Sequence, residues 1–514
     1  MENRGDSTDA PHQGALTVTE PTPSLRRRMA RGAFWMMLQR IAVRTIGLVS
    51  TVILARLLVP GDFGIVALAS GFQAVIESFA ELGFDLALVQ RQTSARADYD
   101  TTWTLNVVRG LAVAAILLAL ADPAANFYGD ARLAPLMRWL ALGPFIAGLQ
   151  NVGTVEFHRD LRFDVEFRLA VWSKVGAFCV TVCLAAWRHD YWSLVAGILV
   201  GKAIATALSY FIHSYRPRLS LRGAWQFLHF SLWLSVNNLV TGIKSRLDTF
   251  IVGKFVGASL LGVYSVGYEI SNLIASEVMW PMSRVIFSGF AKMSGKTEEL
   301  ARTLLDVLGI LFLAATPMAV GIGLTAEWIV WIFLGSQWLE AIPLVRVLVI
   351  YGVLNFATSN CQAIFLALGR PERGVLASLP AAILLPPLLI WGIARYGLVG
   401  AAWAVVLDGA ISLVSNLMLM RGLIHFAFIE VLTVFWRPLV ATAAMTGFVL
   451  EIEERWALAD SMGGLIGQFL ALVACGAFAY CAAALILWRL AGAPTGPESQ
   501  AITVVRTFKR GMRL

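Results

Sequence analysis

The chain has 514 residues, 58% of them hydrophobic and 14% charged, with 41 Lys and Arg against 33 Asp and Glu. An ordinary soluble domain carries about 25% charged residues, so this chain has too little polar surface for its length, and its mean hydropathy of +0.71 points to a polytopic membrane protein. The excess of +8 is scattered between apolar runs rather than clustered, which excludes a nucleic-acid surface and fits charged membrane loops.

Residues 1–24 are polar, with Pro11, Pro21 and Pro23 and no apolar core, so they predict a disordered cytoplasmic tail and no secretory signal. Arg26, Arg27, Arg28 and Arg31 precede the first apolar run. Long continuous runs without barrel-like alternation predict helices as the spanning form. In chain order the predicted spans are 33–58, 63–89, 102–121, 135–157, 169–187 and 191–212. A second set follows at 227–251, 262–283, 303–324, 341–368, 375–394 and 398–420. Two more lie at 438–450 and 462–488, the former ending in Glu451, Glu453 and Glu454.

This arrangement predicts an all-α protein of about fourteen transmembrane helices. An N-lobe (25–212) and a C-lobe (227–424) of six spans each are joined by a cytoplasmic loop (213–226). A terminal helix pair (425–490) and a basic cytoplasmic tail (491–514) complete the chain. Taking loops alternately from an inside start, 26 Lys and Arg residues fall on the cytoplasmic side and five on the other. That bias predicts a multi-pass protein of the bacterial inner membrane with both termini in the cytoplasm. No loop is long enough to hold a soluble catalytic domain, so no enzymatic activity is expected.

Residues 33–68 align without gaps on 231–266 at an offset of 198, matching Trp35 with Trp233, Arg56 with Lys254 and Gly64 with Gly262. The offset lines span one up with span seven. An even number of spans per repeat gives both lobes the same orientation, a transporter architecture.

The stretch ARLLVPGDFGIVAL (55–68), followed by ELGFDLALVQRQ (81–92), resembles the hairpin joining the first two helices of bacterial polysaccharide exporters. These are the Wzx-type lipid-linked oligosaccharide flippases of the multidrug/oligosaccharidyl-lipid/polysaccharide superfamily. FSGFAKMSGKTEELARTL (287–304) and ALGRPERGV (367–375) resemble inter-helix loops of that family, and the likeness extends over residues 25–425. Within it the chain is most similar to the colanic-acid, xanthan and teichuronic-acid exporter branch. The resemblance implies alternating access of two lobes, carrying an undecaprenyl-pyrophosphate-linked glycan from the inner to the outer leaflet for a polymerase and chain-length regulator to use. The alternatives are a multidrug-type secondary exporter of the same superfamily and a membrane-embedded glycan polymerase or glycosyltransferase.

An ionisable side chain in a span costs about 2.5–3.5 kcal/mol to insert and faces a cavity or a partner. Arg40, Arg44, Lys174, Lys202, Lys244 and Arg246 are the cations expected to line a substrate cavity, because a pyrophosphate needs positive charge there. Lys174 and Lys202 have no acidic neighbour one turn away and are the preferred phosphate ligands, whereas Lys244 has Asp248 at i+4. A hairpin turning at 60–61 puts Arg44 level with Glu77 and Arg40 level with Glu81, so these four either pair structurally or contact substrate. Glu77, Glu81, Asp85, Asp248, Glu269 and Asp306 are the coupling or gating carboxylates, with Glu277 and Asp408 beside them, for a proton or sodium ion. No metal site or other cofactor is expected, since the six histidines are dispersed and no Walker A sequence occurs. The aromatic run EWIVWIFLGSQW (327–338) reads as an outer-face interfacial belt.

Overall fold

The computed structural model describes residues 23–80, 88, 95–222, 242–292, 297–424, 427–456, 461–492 and 499. The first six spans give α1 (Pro23–Leu57), α2 (Pro60–Ala80), α3 (Arg96–Tyr128), α4 (Leu133–Leu140), α5 (Leu142–Gly148), α6 (Phe163–Arg188) and α7 (Trp192–Ile212). The second half gives α8 (Leu247–Lys292), α9 (Thr297–Leu324), α10 (Ala341–Ala367) and α11 (Pro371–Arg421), and the chain closes with α12 (Phe428–Arg455) and α13 (Met462–Leu490).

Eleven apolar helices among the described residues are long enough to cross a membrane. Two of these fold back on themselves. Gly257 (φ 81°) divides α8 into two arms and Gly397 (φ 60°) divides α11, each glycine adopting a backbone conformation that other residues resist. The expected fourth span is the exception to continuity: Leu133–Gly148 is broken into α4 and α5, and Val152–Thr154 and Val155–Arg159 follow as separate short turns. With the two folded helices counted as pairs and this broken segment included, the architecture is an all-α, fourteen-span bundle. The start of the seventh predicted span (227–241) and the residues 1–22, 493–498 and 500–514 of the predicted tails lie outside the described residues.

Here "proximal" denotes the end from which α1 starts and "distal" the end carrying the α1–α2 turn. At the distal end α2 crosses the second arm of α8 with no room for side chains. A Cβ on Gly64 would lie 1.7 Å from the Ala258 carbonyl oxygen, and one on Gly262 would lie 1.8 Å from that of Pro60. The contact is reciprocal: 60 answers 258 and 64 answers 262, both at the repeat offset of 198. The pseudo-two-fold axis relating the halves therefore passes between the two glycines. Small residues four apart let helix backbones touch in this way.

Polar contacts tie the same end together. Arg56 donates to the Ile332 carbonyl and Lys254, its repeat counterpart, to the Phe127 carbonyl. Gln337 donates to the carbonyls of Ala55 and Leu58. Trp338 donates its indole N–H to the Ala55 carbonyl at 2.8 Å and packs edge-on against Phe63. The expected interfacial belt at 327–338 is thus for the most part a seal. Trp338 is fully buried and Trp328 is buried with its N–H on Glu453, while only Trp331 and Phe333 of its aromatics are exposed. Aromatic amphipathic residues serve either setting, so their composition could not separate the two.

The terminal pair lies against the second half, where Tyr480 donates to the Leu313 carbonyl at 2.7 Å. After α7 the chain runs extended from His213 to Leu221 and is stitched to the first half. Tyr215 donates to Asp100 at 2.5 Å, the Arg218 N–H reaches the same carboxylate at 3.0 Å, and Asn151 donates to the Tyr215 carbonyl at 2.9 Å. Burial, and then the Asp100 carboxylate, hold the Tyr215 phenol well above its ordinary pKa, so it remains a donor at neutral pH.

The distal crossing is testable because Gly61 also faces it, where a Cβ would stand 4.0 Å from the Ser259 Cα. In a background free of the five native cysteines, Gly61→Cys with Ser259→Cys should form a disulfide on mild oxidation, counted by mass-tagging of the remaining thiols. Adding Gly64→Leu, which forces the backbones apart, should cut the yield at least about ten-fold, an overpacking cost on the order of 1–3 kcal/mol. Undiminished cross-linking would show that the glycines do not hold this end.

Candidate functional site: a cationic cavity between the halves

Below the distal seal lies a cavity of about 1310 Å³, walled by α1, α6, α7, the distal part of α2 and the second arm of α8. Its polar lining follows helical stripes. On α1 the stripe is Gln39, Arg40, Arg44, Ser50 and Thr51, and on α6 it is Glu166, Ser173, Lys174 and Thr181. Members four or seven residues apart, such as Arg40, Arg44 and Thr51 or Glu166 and Ser173, share one face of a helix. Glycines allow the wall helices to meet closely, since a Cβ on Gly197 of α7 would fall 1.7 Å from the Thr181 hydroxyl of α6.

Four of the six expected cations converge here: Arg40, Arg44, Lys174 and Lys202 all line the cavity. Lys174 crosses from α6 toward α1, its Cε 3.9 Å from the place of a Cβ on Gly47, one turn beyond Arg44. Lys202 reaches the joint between α4 and α5, where Gly143 leaves space, and its Nζ stands 3.1 Å from the Glu77 carboxylate. The Gln73 amide donates to the same oxygen at 2.8 Å. Arg44 lies 3.8 Å from Glu269 on the second arm of α8.

The equal-depth pairing of Arg44 with Glu77 is therefore replaced by two other pairs, Arg44 with Glu269 and Lys202 with Glu77. Rotation about the helix axes decides the partners: α2 turns Glu77 toward α7 while α1 turns Arg44 toward the cavity and the second half. Glu81 and Asp85 lie outside the described residues, as does the Glu277 side chain. Sequence reasoning missed Glu166 and His158, 3.3 Å apart at the proximal end of the cavity. The signal for Glu166 was the polar stripe it shares with Ser173 and Lys174.

The remaining expected residues sit elsewhere. Lys244 donates to Ser412 at 3.3 Å rather than pairing with Asp248, and Arg246 is exposed beyond a bend at 245–246. Asp248 is buried in the second half, accepting from the Tyr264 hydroxyl at 2.8 Å and the Thr249 N–H at 2.7 Å. Asp306 is half-buried on α9, outside the cavity lining, and Asp408 is buried on the second arm of α11. The cationic cavity thus belongs to the first half, with Glu269 the one carboxylate that the second half contributes to its lining. Such a chamber suits a phosphorylated or otherwise anionic headgroup with an apolar tail. It is a poor host for a lipophilic cation.

Comparison with known proteins agrees with this geometry. A family model described as polysaccharide biosynthesis protein matches residues 53–343. The chain is similar to lipopolysaccharide biosynthesis protein WzxC of Escherichia coli (strain K12), 23% identical over 420 residues that make up 81% of this chain and 85% of that protein. It is also similar to teichuronic acid biosynthesis protein TuaB of Bacillus subtilis (strain 168), 22% identical over 466 residues, or 87% and 96% of the two chains. Among solved structures, the lipid II flippase MurJ in an inward closed conformation superposes with a TM-score of 0.72 at 15% identity, covering 88% of this chain and 99% of that one.

The Lys202–Glu77 pair is half-exposed and joins α7 to α2, so its coupling should be modest, about 0.2–1 kcal/mol. Lys202→Ala and Glu77→Ala should each lower the thermal midpoint of the detergent-solubilised protein. The double variant should melt no lower than the worse single one. Additive losses would mean that the two side chains act independently.

Proposed function

The chain belongs to the polysaccharide biosynthesis protein family, and from that membership we propose that it flips lipid-linked oligosaccharide repeat units across the bacterial inner membrane by alternating access. The convergence of Arg40, Arg44, Lys174 and Lys202 on one cavity within the membrane is the observation that carries this reading. Each charge costs free energy to place there, and together they supply the bidentate and point-charge contacts that a lipid pyrophosphate needs. The names of the relatives point the same way, as they denote proteins of lipopolysaccharide and teichuronic acid synthesis. The cargo crosses without chemical change, so no catalytic residue is assigned.

In this reading the proximal end is cytoplasmic and both termini lie there. On this assignment the state is cytoplasm-facing, and the closed distal seal supports it. Of the carboxylates suited to coupling with a proton or sodium ion, Asp248 has the surroundings the role requires. It is buried in the second half, and Tyr264 and Thr249 hold it. Glu77 and Glu269 are engaged with cations and suit gating better.

Cells deleted for this protein should accumulate lipid-linked repeat units on the inner leaflet and lose the corresponding surface polymer. Wild-type protein should restore it, and Lys174→Glu should restore less than about a tenth while reaching the membrane in normal amount. A deletion strain with normal polymer would overturn the flippase reading. Orientation is separately measurable: reporter fusions after residues 95 and 220 should report cytoplasm and those after 127 and 457 periplasm, and the reverse pattern would invert the assignment of the two ends.

A further inference from the structure

Two seams join the halves, and the repeat maps one onto the other. In the first, α2 lies along the first arm of α8. In the second, α1 faces the second arm of α8. The first seam is closed through two glycines: a Cβ on Gly242 would stand 2.7 Å from the Ser78 side chain, and one on Gly71 would stand 3.3 Å from the Phe250 ring. Carried three residues past the aligned segment, the offset of 198 pairs Gly242 with Arg44 and Gly71 with Glu269. The second seam therefore bears a cation and a carboxylate at the two positions where the first bears bare backbone. These side chains meet across it at 3.8 Å, and no close packing like that of α2 joins α1 to α8.

The chemistry of this contact differs from that of the distal seal. Arg56, Lys254, Gln337, Trp338 and Tyr128 all donate to backbone carbonyls, and none of these donors lines the cavity where a cargo anion would sit. With both partners among the described residues, Arg44–Glu269 is the one ion pair between the halves, and both members line the cavity. We propose that Glu269 stands in for the cargo's anionic group. It holds Arg44 across the seam while the cavity is empty, and an entering pyrophosphate headgroup takes Arg44 from it, so that cargo binding and release of α1 from α8 are a single exchange.

This inference rests on the flippase reading and adds to it how occupancy is sensed. One cation–anion contact replaces another, and the phosphate partner can be bidentate. The displaced carboxylate is 45% exposed and so returns to water rather than to a dry interior. Its repulsion from the bound anion then favours separation of the second arm of α8 from α1. An exposed ion pair is weak enough to be displaced at small cost.

The test uses the full chain in nanodiscs, with inorganic pyrophosphate as the calorimetric probe. Removing an internal competitor should tighten binding: Glu269→Gln should bind pyrophosphate about two- to five-fold more tightly than wild type, and Glu269→Asp should fall between them. Cells carrying Glu269→Gln should nevertheless export less polymer, because binding no longer breaks a latch. Lys174→Gln should bind more weakly. If Lys174→Gln weakens binding while Glu269→Gln leaves it unchanged or weakens it too, the exchange is wrong and the anion-binding cavity stands. If wild type and variants alike fail to bind pyrophosphate, the cavity reading itself fails.

Discussion

The close approach of Gly64 and Gly262 is the constraint from which the rest of the architecture follows. Two helices whose backbones touch at one end, on an axis of pseudo-symmetry, can diverge only toward the other. The cavity is the space that divergence leaves. The α1–α2 turn, the Arg56 and Lys254 hydrogen bonds and the buried Trp338 are arranged about the crossing, so the distal end is dry and backbone-satisfied. The polar groups that a membrane interior ordinarily excludes are gathered below it. A larger residue at either position would move the axis and with it every wall of the chamber.

The halves are similar in backbone and unlike in chemistry. Arg40 and Arg44 fall on Asn238 and Gly242 in the repeat, and α6 and α7 add Lys174 and Lys202 to the same cavity. The first half thereby carries the cations, while the second keeps a buried Asp248–Tyr264 hydrogen bond and the Lys244–Ser412 contact. Because the two seams use the same helix geometry, the difference between a closed seam and one bridged by charge reduces to two residue positions. Duplication supplied the frame, and substitution at those positions gave it a direction.

Much of this was legible in the sequence. The repeat offset could be read because Gly64 and Gly262 are fixed by backbone contact, which leaves no freedom to drift. The cavity cations could be read because Arg40, Arg44, Lys174 and Lys202 interrupt apolar runs, where a charge needs a reason. Partner choice could not be read. Hairpin spacing puts Glu77 opposite Arg44, yet it reaches Lys202, because rotation about a helix axis is set by packing from several neighbours. The break between α4 and α5 was hidden only in part. Its local signal is Pro144, which has no N–H to give the Leu140 carbonyl, but that Gly143 beside it admits Lys202 and Gln73 is a tertiary fact the chain does not display.

That break has a consequence for how the wall is held. The 16 residues of Leu133–Gly148 rise about 24 Å as helix, against a hydrocarbon core of about 30 Å. Their outer face presents the exposed Trp139 and Leu142. The turns Val152–Thr154 and Val155–Arg159 continue the same wall, so it is built of four short pieces where α13 is one unbroken 29-residue helix. A wall in pieces is held by its neighbours: the Thr206 hydroxyl of α7 donates to the Ile146 carbonyl at 2.9 Å, and the Ser209 hydroxyl accepts from the Asn151 N–H at 3.0 Å. Any movement of α7, which carries Lys202, is therefore passed directly to this wall.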